Sequence, residues 1–204
     1  MQLQAIRTEV RDRSGVDSAD GMAVDAVLTR LINSALREVA NMRDWDWLKA
    51  EETITTVVGQ TSYARNSAAR VSTLLIDDQY SEVMRLVTPR AAASYARYDG
   101  RPMVWHVQAG SLIVYPKPST VRTLTHTYLR IEPALVDDTD VPIMPDYAID
   151  LVIVKAGLKV AARTDNTSQH RLLSQEEKDI IESLASGARR SKGAPIIDSR
   201  RDWN

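Results

Sequence analysis

Cysteine is absent from this 204-residue chain. With it go disulfides, thiolate nucleophiles and sulfur-ligated metal sites, and a reducing compartment is the setting that fits. Phenylalanine is missing too, so aromatic surface comes only from four Trp and seven Tyr. Each of these has an apolar body and a polar tip, which suits half-buried and interface positions. Charge of one sign is not in excess. There are 26 basic and 27 acidic residues, a net charge of −1, and so no global field to steer nucleic acid or anionic lipid. Long apolar runs are lacking as well. The most apolar stretch, Ala148 to Ala162, is interrupted by Asp150, Lys155 and Lys159. It falls short of the ~20 residues a membrane span needs. The first residues, Met1-Gln2-Leu3-Gln4-Ala5-Ile6-Arg7, lack the apolar core of a signal peptide. The expectation is a soluble protein that stays where it is made, with no membrane partner.

What is present is an ordinary globular composition, 44% hydrophobic and 26% charged, able to bury a core. Leu3, Ile6 and Val10 predict a short amphipathic helix over residues 1–12, ending near Ser14-Gly15. Val24, Val27, Leu28, Leu31, Ile32, Ala35, Leu36 and Val39 form one apolar stripe at helical spacing. That stripe predicts a helix from about Ala19 to Arg43, capped by oxygens from Asp17, Ser18 or Asp20. It runs into Trp45-Asp46-Trp47-Leu48.

From Glu52 to Ile131 the texture becomes β-like. Thr53–Val58 reads as a strand ending at Gly59-Gln60. Further strands are predicted at Val71–Ile76, Glu82–Val87, Val104–Val107, Ser111–Tyr115 and Arg122–Leu129, with a hairpin turn at Ala109-Gly110. Pro89 to Tyr98 reads as a short helix, and Pro116 and Pro118 stop the strand at Tyr115. Together these predict a small, mostly antiparallel sheet.

Residues 132–150 carry Glu132, Asp137, Asp138, Asp140, Asp146 and Asp150 with no Lys or Arg. Pro133, Pro142 and Pro145 keep the first part from being helical. Asp146 is expected to cap a helix to about Arg163 that is apolar on more than one face. Such a helix is either central in the core or covered by a neighbouring subunit. A last helix is expected to start at or before Ser174, where Ser174 and Glu177 have capping-box spacing, with Ile180, Ile181, Leu184 and Ala188 on one face. After Gly187 the pattern stops. Residues 189–204 carry five basic and two acidic residues with Ile196, Ile197 and Trp203. They read either as a frayed terminus or as a docking arm anchored by Trp and Arg.

Catalytic signatures are missing. His106, His126 and His170 are far apart in sequence, and no second His lies three or four residues from any of them. Structural roles are expected for all three. No nucleophile elbow, phosphate loop or dinucleotide turn occurs. The carboxylate clusters are Asp77-Asp78 and Asp137-Asp138-Thr139-Asp140. The second reads as a solvated loop, or as a metal site at Asp138 and Asp140 that lacks the further ligands of a calcium loop. Arg189, Arg190, Lys192, Arg200 and Arg201 could meet phosphate, but Asp198 and Asp202 interrupt them. The reading is of a protein without cofactor, metal or catalytic residue.

The order of elements resembles a known family. A helix ends in Asp44-Trp45-Asp46-Trp47-Leu48, and a Thr-rich strand with a Gly-Gln turn follows, Thr53 to Tyr63. Then come Gly100-Arg101-Pro102-Met103-Val104-Trp105, Gly110-Ser111-Leu112-Ile113-Val114-Tyr115-Pro116 and a return strand ending Thr127-Tyr128. Asp140-Val141-Pro142-Ile143-Met144-Pro145 leads into a helical pair. Over about residues 20–190 this layout resembles the head-to-tail adaptor (connector, or head-completion) proteins of tailed bacteriophages. It is also similar to the tail tubular protein A type.

The resemblance implies an α+β fold, a helical bundle from N- and C-terminal helices with an inserted small, mostly antiparallel β module. Residues 1–51 and 132–188 would be the helical ring-forming domain, 52–131 the β module and 189–204 an extended C-terminal docking tail. It implies a structural virion protein of the neck, assembled in the host bacterial cytoplasm into a ring of about twelve copies. Its partners would be itself, the portal, the tail or neck protein below, and double-stranded DNA passing without sequence reading. Arg189, Arg190, Lys192, Ile196, Ile197, Arg200, Arg201 and Trp203 would dock the portal. Asp137, Asp138 and Asp140 would line the channel if the loop faces it, and Leu151, Val154 and Leu158 would meet a neighbouring subunit. Other readings stay beside it: another neck ring such as a stopper or tail terminator, a metal-dependent enzyme, or a nucleic-acid binder.

Overall fold

The computed structural model describes residues 1–16 and 24–192, with side chains placed through Leu184. The chain divides into two compact units, Met1–Met42 with Pro133–Asn204, and Arg43–Glu132. Among the described residues the first is helical and the second mostly β. The α+β class expected from the sequence is the class observed.

In the helical unit, α1 (Leu3–Ser14) buries Leu3, Ile6 and Val10 on one face. It stops at Gly15, whose φ of 66° places it in the left-handed region, and the Gly15 N–H closes on the Arg11 carbonyl. Arg11 and Arg13 in its last turn complement the carbonyl end of the helix dipole. Helix α2 (Asp25–Met42) buries Leu28, Leu31, Ile32, Ala35, Leu36 and Val39, the predicted stripe. The candidate caps Asp17, Ser18 and Asp20 lie outside the described residues.

The β unit begins with a short 3-10 helix, Asp46–Leu48, and its strands follow in chain order. They are β1 (Lys49–Thr55), β2 (Ser62–Ala64), β3 (Ala69–Asp77), β4 (Glu82–Val83), β5 (Arg85–Leu86), β6 (Asp99–Gly100), β7 (Val104–Gln108), β8 (Ser111–Tyr115), β9 (Lys117–Pro118) and β10 (Thr123–Arg130). A single turn of helix, α3 (Pro89–Ala92), separates β5 from β6 and starts at Thr88, whose hydroxyl accepts the Ala91 N–H. The strands make two four-stranded sheets, β1-β10-β3-β4 and β2-β8-β7-β5, and a small β6-β9 pair. Pairing is antiparallel except for β5 with β7 and β6 with β9. Leu75 and Leu124 come from one sheet, and Tyr63, Leu112, Val114 and Trp105 from the other. With Met84 they form one buried cluster. The Trp105 indole N–H donates to the Met84 carbonyl at 3.1 Å, so the polar tip of a buried ring is satisfied.

Three expectations are corrected here. The single run Glu82–Val87 is two strands, β4 and β5, that belong to different sheets. The helix predicted across Pro89–Tyr98 lasts only from Pro89 to Ala92. The strand predicted over Thr53–Val58 is β1, which starts at Lys49 and ends at Thr55 because it follows the register of β10. The predicted hairpin at Ala109-Gly110 is present, with φ of 47° and 78°, the two successive left-handed residues of a tight turn.

The chain then returns to the helical unit. Helix α4 (Asp146–Arg163) buries ten residues: Ala148, Ile149, Leu151, Val152, Ile153, Val154, Ala156, Gly157, Val160 and Ala161. It packs against α1, α2 and α5 (Thr167–Lys192). Asp146 is the first helical residue, and Pro145 occupies the cap position. Helix α5 starts at Thr167, before Ser174 as the sequence allows, so the Ser174–Glu177 spacing does not form its cap. Asn166 accepts the Gln169 N–H on its side-chain oxygen at 3.1 Å, while Ser174 and Glu177 lie inside the helix. Helix α5 passes Gly187 and runs to Lys192. At Gly157 the two helices approach closely, and an added Cβ would stand 3.1 Å from a Leu173 methyl.

Candidate interaction surfaces

The acidic loop that joins the β unit to α4 has a local job. The carbonyls of Asp140 and Asp138 accept the N–H groups of Leu3 and Gln4 at 2.9 and 3.1 Å. These are orphan donors at the start of α1, so the loop serves as a backbone cap. Asp138 also pairs with Arg7 at 2.6 Å, and the Arg7 side chain, 7% exposed, donates to Thr29 on α2 as well. The Asp140 carboxylate turns back to accept the N–H groups of Val136 and Asp137. Those two hydrogen bonds hold its carboxyl below the usual carboxylate range. Asp138 and Asp140 are therefore committed within the protomer. Asp137 is exposed beside Val136, which is 72% exposed.

Leu151 and Val154, expected between subunits, are fully buried inside the protomer's own helical unit, and only Leu158 of that group keeps partial exposure. The physical reason is that α4 is central, so its several apolar faces are already covered by α1, α2 and α5. Apolar surface does remain on the outside of this unit. Tyr147 and Leu172 are 60% and 65% exposed, and Ile180, Ile181 and Leu184 are half-buried. Of the expected docking tail, Arg189, Arg190 and Lys192 fall within α5. Ile196, Ile197, Arg200, Arg201 and Trp203 lie outside the described residues.

The β unit holds most of the buried polar groups. Asp77 is fully buried and receives Arg101 at 2.9 Å, Arg122 at 3.4 Å and the Gln79 N–H at 3.2 Å. Tyr80 lies against both guanidinium groups, 4.0 Å from Arg101 and 5.2 Å from Arg122. Asp78 accepts from the Thr125 hydroxyl, so the Asp77-Asp78 pair is spent on holding strand ends together. His126, fully buried on β10, faces Glu52 across the sheet with 2.8 Å between Nδ1 and the carboxylate. Burial alone would raise the Glu52 pKa, but hydrogen bonds from His126 and Asn66 outweigh it and leave it lowered. His106 is buried on β7, and His170 is exposed, 3.5 Å from the Ser174 hydroxyl. Among the described residues no three His, Asp or Glu side chains converge to hold a metal ion, and no helix is long and apolar enough to cross a membrane.

Sequence reasoning missed one surface of the β unit. A groove of about 580 Å³ opens beside β3, the β5–α3 segment and β7, and Arg65, Arg70, Leu86 and His106 are among its lining residues. Its walls come from segments up to 42 positions apart, 65 to 107, so no local motif announces it.

The fold thus defines an α+β protein of two units, a helical one built around α4 and a β one of two small sheets. The family model for the SU10 adaptor protein matches residues 1–197, and the chain belongs to that family of bacteriophage head-to-tail adaptors. This bears out the resemblance drawn from the order of elements. No curated protein matches the sequence.

Proposed function

We propose that the chain is the subunit of a neck ring that joins the portal to the tail component below and lets the genome pass. The family match over residues 1–197 carries this reading. The ring would hold about twelve copies, the number the family resemblance implies, and its closure needs the same contact repeated on each copy. Support comes from apolar surface left on the helical unit after its own core is complete, at Tyr147, Leu158, Leu172 and the Ile180-Ile181-Leu184 face of α5. A neighbouring subunit or portal helix would cover it.

The C-terminal residues 189–204 would dock on the portal through Arg and Trp anchors. Asp137, the one carboxylate of the 137–140 cluster with no side-chain partner among the described residues, is the group of that loop left for a contact outside the protomer. The subunit would be made in the host bacterial cytoplasm and would end in the virion neck. Removing residues 188–204 tests the docking assignment. The truncated chain should keep its circular dichroism spectrum and lose co-sedimentation with purified portal. Retained co-sedimentation would remove the tail from the interface.

A further inference from the structure

The groove on the β unit combines three properties that call for an occupant. Its walls expose Val71 and Leu86 by 46% and 56%, so apolar surface faces water. Arg65 lines it with no ion-pair or hydrogen-bond partner for its guanidinium among the described residues, and no Asp or Glu lines it. Two further lining residues carry buried polar atoms without a partner, His106 Nδ1 and Ser72 Oγ. His106 is only 4% exposed. Buried polar atoms are nearly always satisfied in finished structures. A groove with an unpaired cation, unsatisfied polar atoms and bare aliphatic walls fits a segment that brings a carboxylate next to an aliphatic side chain.

The same chain displays such a segment. Val136 is 72% exposed and is followed by Asp137, whose carboxylate has no partner among the described residues. Nearby Val141 is 56% exposed. The pair is presented rigidly, because both backbone N–H groups are held by the Asp140 carboxylate at 2.7 and 2.9 Å. Preorganisation of this kind lowers the ordering cost of docking.

We infer that the groove of one copy receives the Val136-Asp137 knob of a second copy, with Asp137 meeting Arg65 and Val136 seated between Val71 and Leu86. A knob and a groove at different places on one chain make a heterologous contact, which propagates from copy to copy and closes into a ring when the rotation permits. The inference rests on the self-association reading above and gives it a specific contact.

The native absence of cysteine makes the test direct. Full-length Val136→Cys and Leu86→Cys chains, the second carrying a tag of different mass, are mixed and mildly oxidised. Val121→Cys, exposed by 63% and not part of the groove, replaces Leu86→Cys in the control. Native mass spectrometry of the unmodified chain reports association in parallel. Mixed disulfides should exceed the control about fivefold, fall to the control level with Arg65→Glu, and return when Asp137→Arg is added to the Val136→Cys partner. Association with cross-linking at the control level overturns the knob-and-groove contact and leaves self-association standing. Absence of both association and excess cross-linking overturns the two together. Excess cross-linking that ignores Arg65→Glu overturns the Asp137–Arg65 pairing.

Discussion

The helical unit and the β unit reach stability by different routes. Around α4 the interior is almost wholly apolar, and among the described residues the buried polar ones there are only Arg7 and Ser14. In the β unit Thr56, Asp77, His106, His126 and Glu132 are all buried, and the His126 ring stands edge-on to Trp105 of the apolar cluster at 6.3 Å. The contrast follows from geometry. A helix satisfies its own backbone and can bury every face, whereas short strands in two small sheets leave ends and edges that side chains must tie. Asp77 does this with two arginines, and Glu52 with His126 and Asn66. The helical unit should therefore answer mainly to lost volume, and the β unit to lost charge.

The largest effect is expected at Asp77. Replacing it with Ala leaves Arg101 and Arg122 without their shared buried acceptor and should cost about 3–5 kcal/mol, measured by urea unfolding. Leu151→Ala, which removes a fully buried side chain from α4, should cost about 3 kcal/mol in the same assay. If Asp77→Ala cost less than a surface substitution, the contrast between the units would fail.

The smallest of these effects, and the most selective, is acid sensitivity. The Glu52 pKa is lowered in the folded protein. Its stabilisation is therefore fully present above the unfolded carboxylate value of about 4.3 and is lost as the pH falls through the lower folded value. With Trp203 replaced by Tyr, the remaining indoles, Trp45, Trp47 and Trp105, all report on the β unit. Their near-ultraviolet signal should fade at higher pH than the helical signal at far-ultraviolet wavelengths. Glu52→Gln should cost about 1–2 kcal/mol at neutral pH and flatten the acid limb. Coincident loss of both signals in the Trp203→Tyr chain would contradict the assignment.

The same contrast explains what could be read from sequence. Helices α1, α2 and α4 are legible because their periodicity is local, and the Ala109-Gly110 turn because Gly110 takes a left-handed φ without a Cβ clash. Strand partners were not legible. The pairing of β3 with β10 joins Leu75 to His126, and nothing near either residue encodes the other. The break between β4 and β5 depends on two sheets competing for one run. The acidic loop was visible as charge, while its role in capping α1 lies in the carbonyls of Asp138 and Asp140, which any residue would supply. Leu151 and Val154 were visible as excess apolar surface, but sequence could not decide whether a neighbour or the chain itself covers them. The structure assigns both to the chain's own core.

Assembly into a ring on the portal is tested most directly by electron microscopy of the chain mixed with purified portal. The expected result is an added ring on the portal axis, with one copy of this chain in each repeating position and helical density toward its neighbours. Portal particles with no added density, or with single scattered copies in place of a closed ring, would contradict it.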